Sequence, residues 1–402
     1  MNILLVSSYL PYPLFSGGHI RLYNLIKELS CKHKITLICE KRDYQGENEI
    51  AELKKFCRKV ITAPRKKQWS LENILRTGFS TLPFLVVGHT NKKMQAEIKR
   101  ELIENQFDLI HVETSYIMQN LPAVEIPIIL VEHNVEYLVY KRFADRVPMP
   151  LRPLLYIDVL KLKNWEKSMW TKATKLIAVS EIDKKVMEKK RKDVIVVSNG
   201  VDINKFQISD FKAQATRGEK KMLFIGEFKW VQNKDAIGWI IKEIWPKLKA
   251  EFIPLMTDKG IKLWVVGRNI PDSIRKLTSD KNIIFDDQAP KETELIYQKA
   301  DVLLAPIRVG GGTSFKILEA MACGIPVITT NLGNAIDAKE NLEIVIARNA
   351  DDFVTKLKKL LEDEEFYKTI SKNARSLIEK KFNWKKISQD LDSVYESIIS
   401  YA

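Results

Sequence analysis

The stretch Arg308–Thr330, "RVGGGTSFKILEAMACGIPVITT", sets a carboxylate a few residues beyond three glycines. Asp301 to Pro306, just before it, reads as a buried strand. The glycines then turn the chain into a helix starting near Thr313 or Ser314, both suitable N-cap residues. Phe315, Leu318 and Ala322 share one helical face and should pack on a sheet. Glu319 lies one position round from that face. An unpaired carboxylate is costly to bury, so Glu319 needs a cation, backbone donors or the hydroxyls of a ligand. A vicinal diol such as a ribose offers two donors to one carboxylate. Spacing alone slightly favours an ion pair with Lys316 or an arginine.

Two other places bring polar groups to strand ends. The run "IPIILVEHNVEY" closes on Glu132-His133-Asn134, and a histidine leaving a buried strand suits either polar chemistry or a satisfied core position. Near the N-terminus, "PLFSGGHIRLYNLIKEL" puts Gly17-Gly18 where a helix begins. Free backbone N–H groups and the helix dipole there suit a phosphate or a sugar oxygen. His19 and Arg21 add donors. The pair of glycines also fits a turn with no other role.

Elements that alternate strand and helix must position these residues. Strands are expected at 2–7, 34–39, 108–112, 126–133, 175–180 and 194–198, with helices near 18–30, 91–104 and 151–172. "DINKFQISDFKAQATRGEKK" is polar and unpatterned and reads as a linker. The alternation restarts with strands at 221–226, 261–267, 282–285, 301–306 and 342–347, and helices at 233–250 and 291–299. Amphipathic helices at 351–362, 364–380 and 385–400 close the chain. Asp390 and Asp392, in the last, read as solvent-facing rather than as metal ligands. Near-continuous apolar strands alternating with helices mean parallel sheets covered on both faces. The fold class is therefore α/β, with two Rossmann-like doubly wound domains facing across a cleft. Ligands of such sheets bind beyond the carboxyl ends of the strands, where the residues above lie.

Composition bounds the remaining possibilities. The 402 residues suggest two or three domains, and 45% hydrophobic with 29% charged residues suits an ordinary folded protein. No apolar run reaches the length of a membrane span. "MNILLVSSYLPYP" reads as a first strand, not a signal peptide. Cys31, Cys39, Cys57 and Cys323 lack metal-site spacing and suit a reducing, cytoplasmic setting. The net charge is +14, and residues 54–67 and 141–175 together carry +13 of it. Trp165, Trp170 and Tyr156 are interspersed in the second of these. One reading is a solvated basic surface. The other is attraction to anionic lipid at the inner face of a membrane, or to an anionic acceptor. No zinc finger or RNP-type motif accompanies the charge, so nucleic acid is not the expected partner.

"GGGTSFKILEAMACGIPVITT" resembles the donor-site signature of glycosyltransferase family 4, the retaining enzymes of GT-B fold. The family core is Glu-x7-Glu followed by Ala-Met-Ala-x-Gly-x-Pro-Val. Glu319 matches the second glutamate, while Gly311 stands where the first would be. "PIRVGGGTSFKILEAMA" instead is similar to a branch reading P-x-R-x-G-x-G-T-x-x-K-x-L-E-A-M-A. "VVGRN" (265–269), "VSNGVD" (197–202) and the N-terminal "SYLPYPLFSGGHIRLYNLIKEL" fit as well.

The resemblance implies that Glu319 binds the donor's ribose. It implies that Gly311, Gly312 and Thr313 approach the donor sugar and diphosphate. His133 would lie by the donor sugar, and Gly17, Gly18 and Arg21 would face donor and acceptor. Family members carry an Arg and a Lys for the diphosphate after the first strand of the second domain. Here "GEFKWVQNKD" has Glu227 and Gln232 instead, with Lys229, Arg308 and Lys316 as substitutes and Arg268 nearby.

The implied domains are an acceptor-side domain at 1–205 and a nucleotide-sugar donor domain at 206–381. A last helix, 382–402, would return to the first through Trp384 and Tyr395. The implied reaction is transfer of a sugar from a nucleotide sugar to a saccharide, lipid-linked or cell-envelope acceptor, with retention and without cofactor or metal. A nucleotide-sugar epimerase or dinucleotide oxidoreductase on a similar scaffold is the alternative, as is a non-catalytic carbohydrate-binding protein. The oxidoreductase requires Gly-x-Gly-x-x-Gly after the first strand, which "SSYLPYPLFSGG" does not supply.

Overall fold

The computed structural model describes all residues except 146, 209–219, 253–259, 289–291, 310–311 and 400–402. It divides into two units, Met1–Ser198 with Ile387–Ala402, and Asn199–Lys386. The divisions fall a few residues from the 205/206 and 381/382 expected from the sequence.

The first unit holds a seven-stranded sheet. Its strands are β1 (Asn2–Ser7), β2 (Lys34–Lys41), β3 (Lys59–Pro64), β4 (Leu109–Glu113), β5 (Ile128–Glu132), β6 (Lys175–Ala178) and β7 (Val194–Val196). Their spatial order is β3-β2-β1-β4-β5-β6-β7, and every pairing is parallel. The second unit has six: β8 (Lys220–Ile225), β9 (Ile261–Val266), β10 (Ile283–Asp286), β11 (Val302–Ala305), β12 (Val327–Thr329) and β13 (Val345–Ile346). Their order is β10-β9-β8-β11-β12-β13, again all parallel. Strand order thus reverses between β1 and β4 in one sheet, and between β8 and β11 in the other. Such switch points open a crevice at the carboxyl ends.

Both faces of the sheets are buried, as parallel strands require. Along β8, Met222 and Phe224 join one apolar cluster while Leu223, between them, joins the cluster on the opposite face. Trp170 and Met169, from the helix Arg152–Lys172, cover the first sheet together with Met94 and Ile98.

The structure departs from the sequence reading in several places. β3 lies inside the basic run 54–67, where charge masks the strand pattern, and β12, of three residues, is too short to stand out in the sequence. In the last helix, Trp384–Ile399, Asp392 is not solvent-facing. It is buried and accepts from Lys32 Nζ at 2.6 Å, and bonds His33 Nε2 at 2.8 Å. Tyr395, fully buried, hydrogen-bonds His111 of β4. Trp384 is instead part of the second unit, its ring 6.3 Å from that of Phe315. Among the described residues no helix is long and apolar enough to cross a membrane.

Candidate functional site

In the second unit, the chain leaves β11 and turns at Gly312, whose φ of 70° is the left-handed conformation that glycine takes without strain. Gly310 and Gly311 lie outside the described residues. Thr313 is buried, with its carbonyl accepting from Asn199 Nδ2 at 3.2 Å. Ser314 is the N-cap of the helix Phe315–Ala322. Leu318 and Ala322 are fully buried beneath it, so the helix is pinned by its apolar face.

Glu319 comes off the side of this helix, half-buried. Its Oε2 accepts a 2.7 Å hydrogen bond from the hydroxyl of Tyr297, its only hydrogen-bond partner among the described residues. Burial pushes the carboxyl up to about 7, against the lowering effects of Tyr297, Lys205 and Lys316. The ion pair with Lys316 that spacing offered does not form. Lys316 Nζ turns to Asn233 Oδ1 at 2.9 Å and sits 5.0 Å above the ring of Phe224. Burial lowers this ammonium to about 8. Tyr297 and Asn233 were not singled out in the sequence, because a tyrosine and an asparagine inside helical patterns carry no signal of their own.

The other cations differ in availability. Arg308 forms a bidentate pair with Asp235, both bonds 3.1 Å, and its guanidinium stacks 4.6 Å from the Trp239 ring centroid. It is thus already engaged. Lys229 is exposed in the loop after β8, which is tied to the loop after β9: Phe228 N donates to Arg268 O at 3.0 Å, and Asn269 Nδ2 to Glu227 Oε1 at 2.7 Å. Gly267 makes this junction possible, since a Cβ there would stand 1.9 Å from the carbonyl oxygen of Gly226. Arg268 is exposed on the same loop.

In the first unit, the ends of β1, β4 and β5 gather a second set of groups. Gly17 opens the helix Gly17–Leu29, capped by Ser16, whose hydroxyl accepts from His19 N. Gly18 has a packing reason to be glycine, because a Cβ would sit 2.9 Å from the Tyr9 hydroxyl oxygen. The Tyr9 ring lies 5.1 Å from that of His19 and meets His133 edge-on at 6.5 Å. Arg21 does not join as an exposed donor. It is fully buried, and its Nη1 donates to Ser198 O at 2.7 Å.

His133, just past β5, is held by a residue that sequence reasoning missed. Its Nε2 is hydrogen-bonded to Glu113 Oε2, while His111 Nε2 meets Glu113 Oε1 at 2.9 Å. Glu113 is fully buried at the end of β4. Burial alone would raise its carboxyl. The nearby His133 and His111 outweigh that and hold it well below the usual carboxylate range. An ionised carboxylate only accepts, so Nε2 of both rings carries a proton. In the neutral ring of His133, Nδ1 then keeps the lone pair. In neutral His111, Nδ1 accepts from the Tyr395 hydroxyl. The period-2 spacing of His111 and Glu113, which puts both on one face of β4, was the available signal. Next to this cluster, burial also raises Glu132 to about 7, while its carboxylate accepts from Trp170 Nε1 at 2.9 Å and from Ser115 N at 3.2 Å.

The comparisons with known proteins agree with this architecture. Residues 15–205 match the model of Glycosyltransferase Family 4, and residues 219–363 that of Glycosyl transferases group 1. An uncharacterised 44.6 kDa protein of the cps region in Klebsiella pneumoniae is 24% identical, with 96% of this chain and 97% of that one covered. The capsular polysaccharide biosynthesis glycosyltransferase CapM of Staphylococcus aureus is 29% identical over 56% of this chain and 62% of its own. Among solved structures, Anabaena HepE in complex with UDP and glucose superimposes with a TM-score of 0.66 at 13% identity, covering 99% of this chain and 100% of that one. Nothing in these matches supports the epimerase reading. With two glycosyltransferase models matching in turn along a chain folded as two parallel doubly wound sheets, the chain is a glycosyltransferase of GT-B fold.

Proposed function

We propose that the protein transfers a sugar, with retention of anomeric configuration, from a uridine-diphosphate sugar to a saccharide or lipid-linked acceptor of the cell envelope at an anionic membrane face. The observation that carries this reading is Glu319. A half-buried carboxyl raised to about 7, with one oxygen on a tyrosine hydroxyl, is a site built for further donors. Two ribose hydroxyls supply them and favour the ionised form. Lys229 and Lys316, with the backbone N–H groups opening the helix Phe315–Ala322, stabilise the leaving diphosphate, so the reading calls for no metal. His133, fixed through Glu113, serves the transfer itself. UDP as the nucleotude carrier follows the complex of HepE, and the envelope acceptor follows CapM. Nucleoside diphosphate release, measured over a panel of nucleotide sugars with and without added acceptors, tests the reading. Turnover of a UDP-sugar supports it. Release only from a purine-nucleotide sugar would overturn the choice of base, and release from none of them the reading as a whole.

A further inference from the structure

The helix Leu71–Gly78 is turned inside out. Its polar Asn73 is buried, and Nδ2 donates to the carbonyls of Lys67 at 3.1 Å and Gln68 at 3.0 Å. Thr77 also faces inward, its hydroxyl donating to Asn73 O at 2.7 Å. The apolar stripe points to solvent: Leu71 is 72% exposed, Ile74 49%, Leu75 52% and Phe79, just beyond, 93%. Trp69, before the helix, is 75% exposed. A soluble helix normally does the reverse.

A second stripe adjoins it. In the helix Arg152–Lys172, Leu154, Ile157 and Leu160 are all more than half exposed. The same face continues with the exposed, polar Asn164 and Ser168, so the apolar part is confined to the helix's first half. The two stripes belong to one region. Lys161 Nζ donates to Thr77 O at 2.8 Å and Ser80 O at 2.6 Å, and Asp158 Oδ1 accepts from Phe84 N at 2.8 Å. Contiguous apolar exposure on this scale marks an interaction surface.

Its rim is basic. Lys66 and Lys67 are exposed immediately before Trp69, and Arg76, in the helix Leu71–Gly78, makes only a long, exposed 3.5 Å pair with Glu72. Of the other lysines in the run 54–67, Lys55 pairs with Glu52 and Lys59 with Glu101. The tryptophans interspersed in the basic segment 141–175 are not part of the surface, since Trp170 is buried and Trp165 Nε1 donates inward to Ser115 O. A second copy of this chain would bring the same cations against these and be repelled. An anionic lipid surface complements both the charge and the protruding side chains.

We propose that this face, helix Leu71–Gly78 with the first half of helix Arg152–Lys172, docks in the headgroup layer of an anionic bilayer. Its apolar side chains enter the acyl boundary while Lys66, Lys67 and Arg76 meet lipid phosphates. The proposal rests on the reading that the enzyme works at an anionic membrane face, and names the surface that does so.

Flotation of the full chain with phosphatidylglycerol-containing and pure phosphatidylcholine vesicles tests it. Leu75→Asp and Phe79→Asp should each weaken partitioning about tenfold or more, the worth of one large apolar side chain withdrawn from lipid. Phe79→Leu should retain binding. Lys66→Glu with Lys67→Glu should remove the preference for anionic vesicles. These side chains are exposed, so melting temperatures should stay at the native value. Native binding that is salt-sensitive yet indifferent to Leu75→Asp and Phe79→Asp overturns the proposal while leaving the membrane reading intact. No binding of the native chain overturns both. A concentration-dependent dimer abolished by Phe79→Asp, with vesicle binding unchanged, would assign the face to a second copy instead.

Discussion

A carboxyl raised to about 7 is divided between acid and base near neutral pH, and only the base accepts from two hydroxyls at once. UDP affinity should therefore climb as pH rises through about 7, as Glu319 ionises. Glu319→Gln keeps the shape and removes the charge. A hydrogen bond to a charged group is worth about 1.5–3 kcal/mol, so affinity should fall roughly 10- to 100-fold and the pH dependence should flatten. Calorimetric titration at several pH values reads both. Stability runs in the opposite sense. A carboxyl raised on folding contributes stability below its unfolded pKa that is lost as pH rises through the folded one. Melts of the native chain should thus show a fall from the ordinary carboxylate range up to about pH 7, levelling there, that the Gln variant lacks. Unchanged affinity in that variant would reduce Glu319 to a partner of Tyr297.

Between residues and the whole stand the strand ends, where β4 and β5 set His133 by way of Glu113. Glu113→Gln presents an amide where two N–H groups now donate, so one ring must turn or change tautomer. Turnover should fall on the order of a hundredfold, with the KM for the donor little changed and an altered pH profile. Equal loss in both parameters would point to damaged packing instead. Tyr395→Phe, which leaves the buried His111 Nδ1 without its hydroxyl, should cost about 1–3 kcal/mol in chemical denaturation. At the same scale the loop after β9 is sterically closed. Gly267→Ala puts a methyl within 1.9 Å of a backbone oxygen and should destabilise the second unit by more than about 2 kcal/mol, seen as a lowered melting temperature.

The elements were the most legible part of the sequence, because β-branched runs and helical patterns announce themselves. β3 was hidden by the lysines and arginines that flank it. Glu319 and His133 could be singled out from their positions after strands. Their partners could not: Tyr297 and Glu113 are brought in by tertiary packing, and neither sits in a motif. Asp392 was misplaced for the same reason, since nothing local shows that Lys32 and His33 will meet it. The outward face of helix Leu71–Gly78 defeats pattern reading, which assigns a leucine stripe to the core.

At the scale of the molecule, the first unit is built from two separated stretches of chain. Leu391, Val394, Tyr395 and Ile398 are all buried, and at about 1.5–3 kcal/mol for each large apolar side chain they represent much of a domain's stability of about 5–15 kcal/mol. A chain ending at Lys386 should lose the calorimetric transition of the first unit and keep that of the second, whose residues are contiguous. Two intact transitions would show the last helix to be dispensable.

That split has a meaning for biosynthesis. The ribosome delivers Tyr395 and Asp392 only after the second unit, so His111 and His33 wait for their partners while the whole second unit emerges. At about 5–20 residues per second, the wait is roughly 10–40 s. The nascent first unit must survive that interval with its groove for the last helix uncovered, and whatever holds it soluble then acts on a species the finished enzyme never shows.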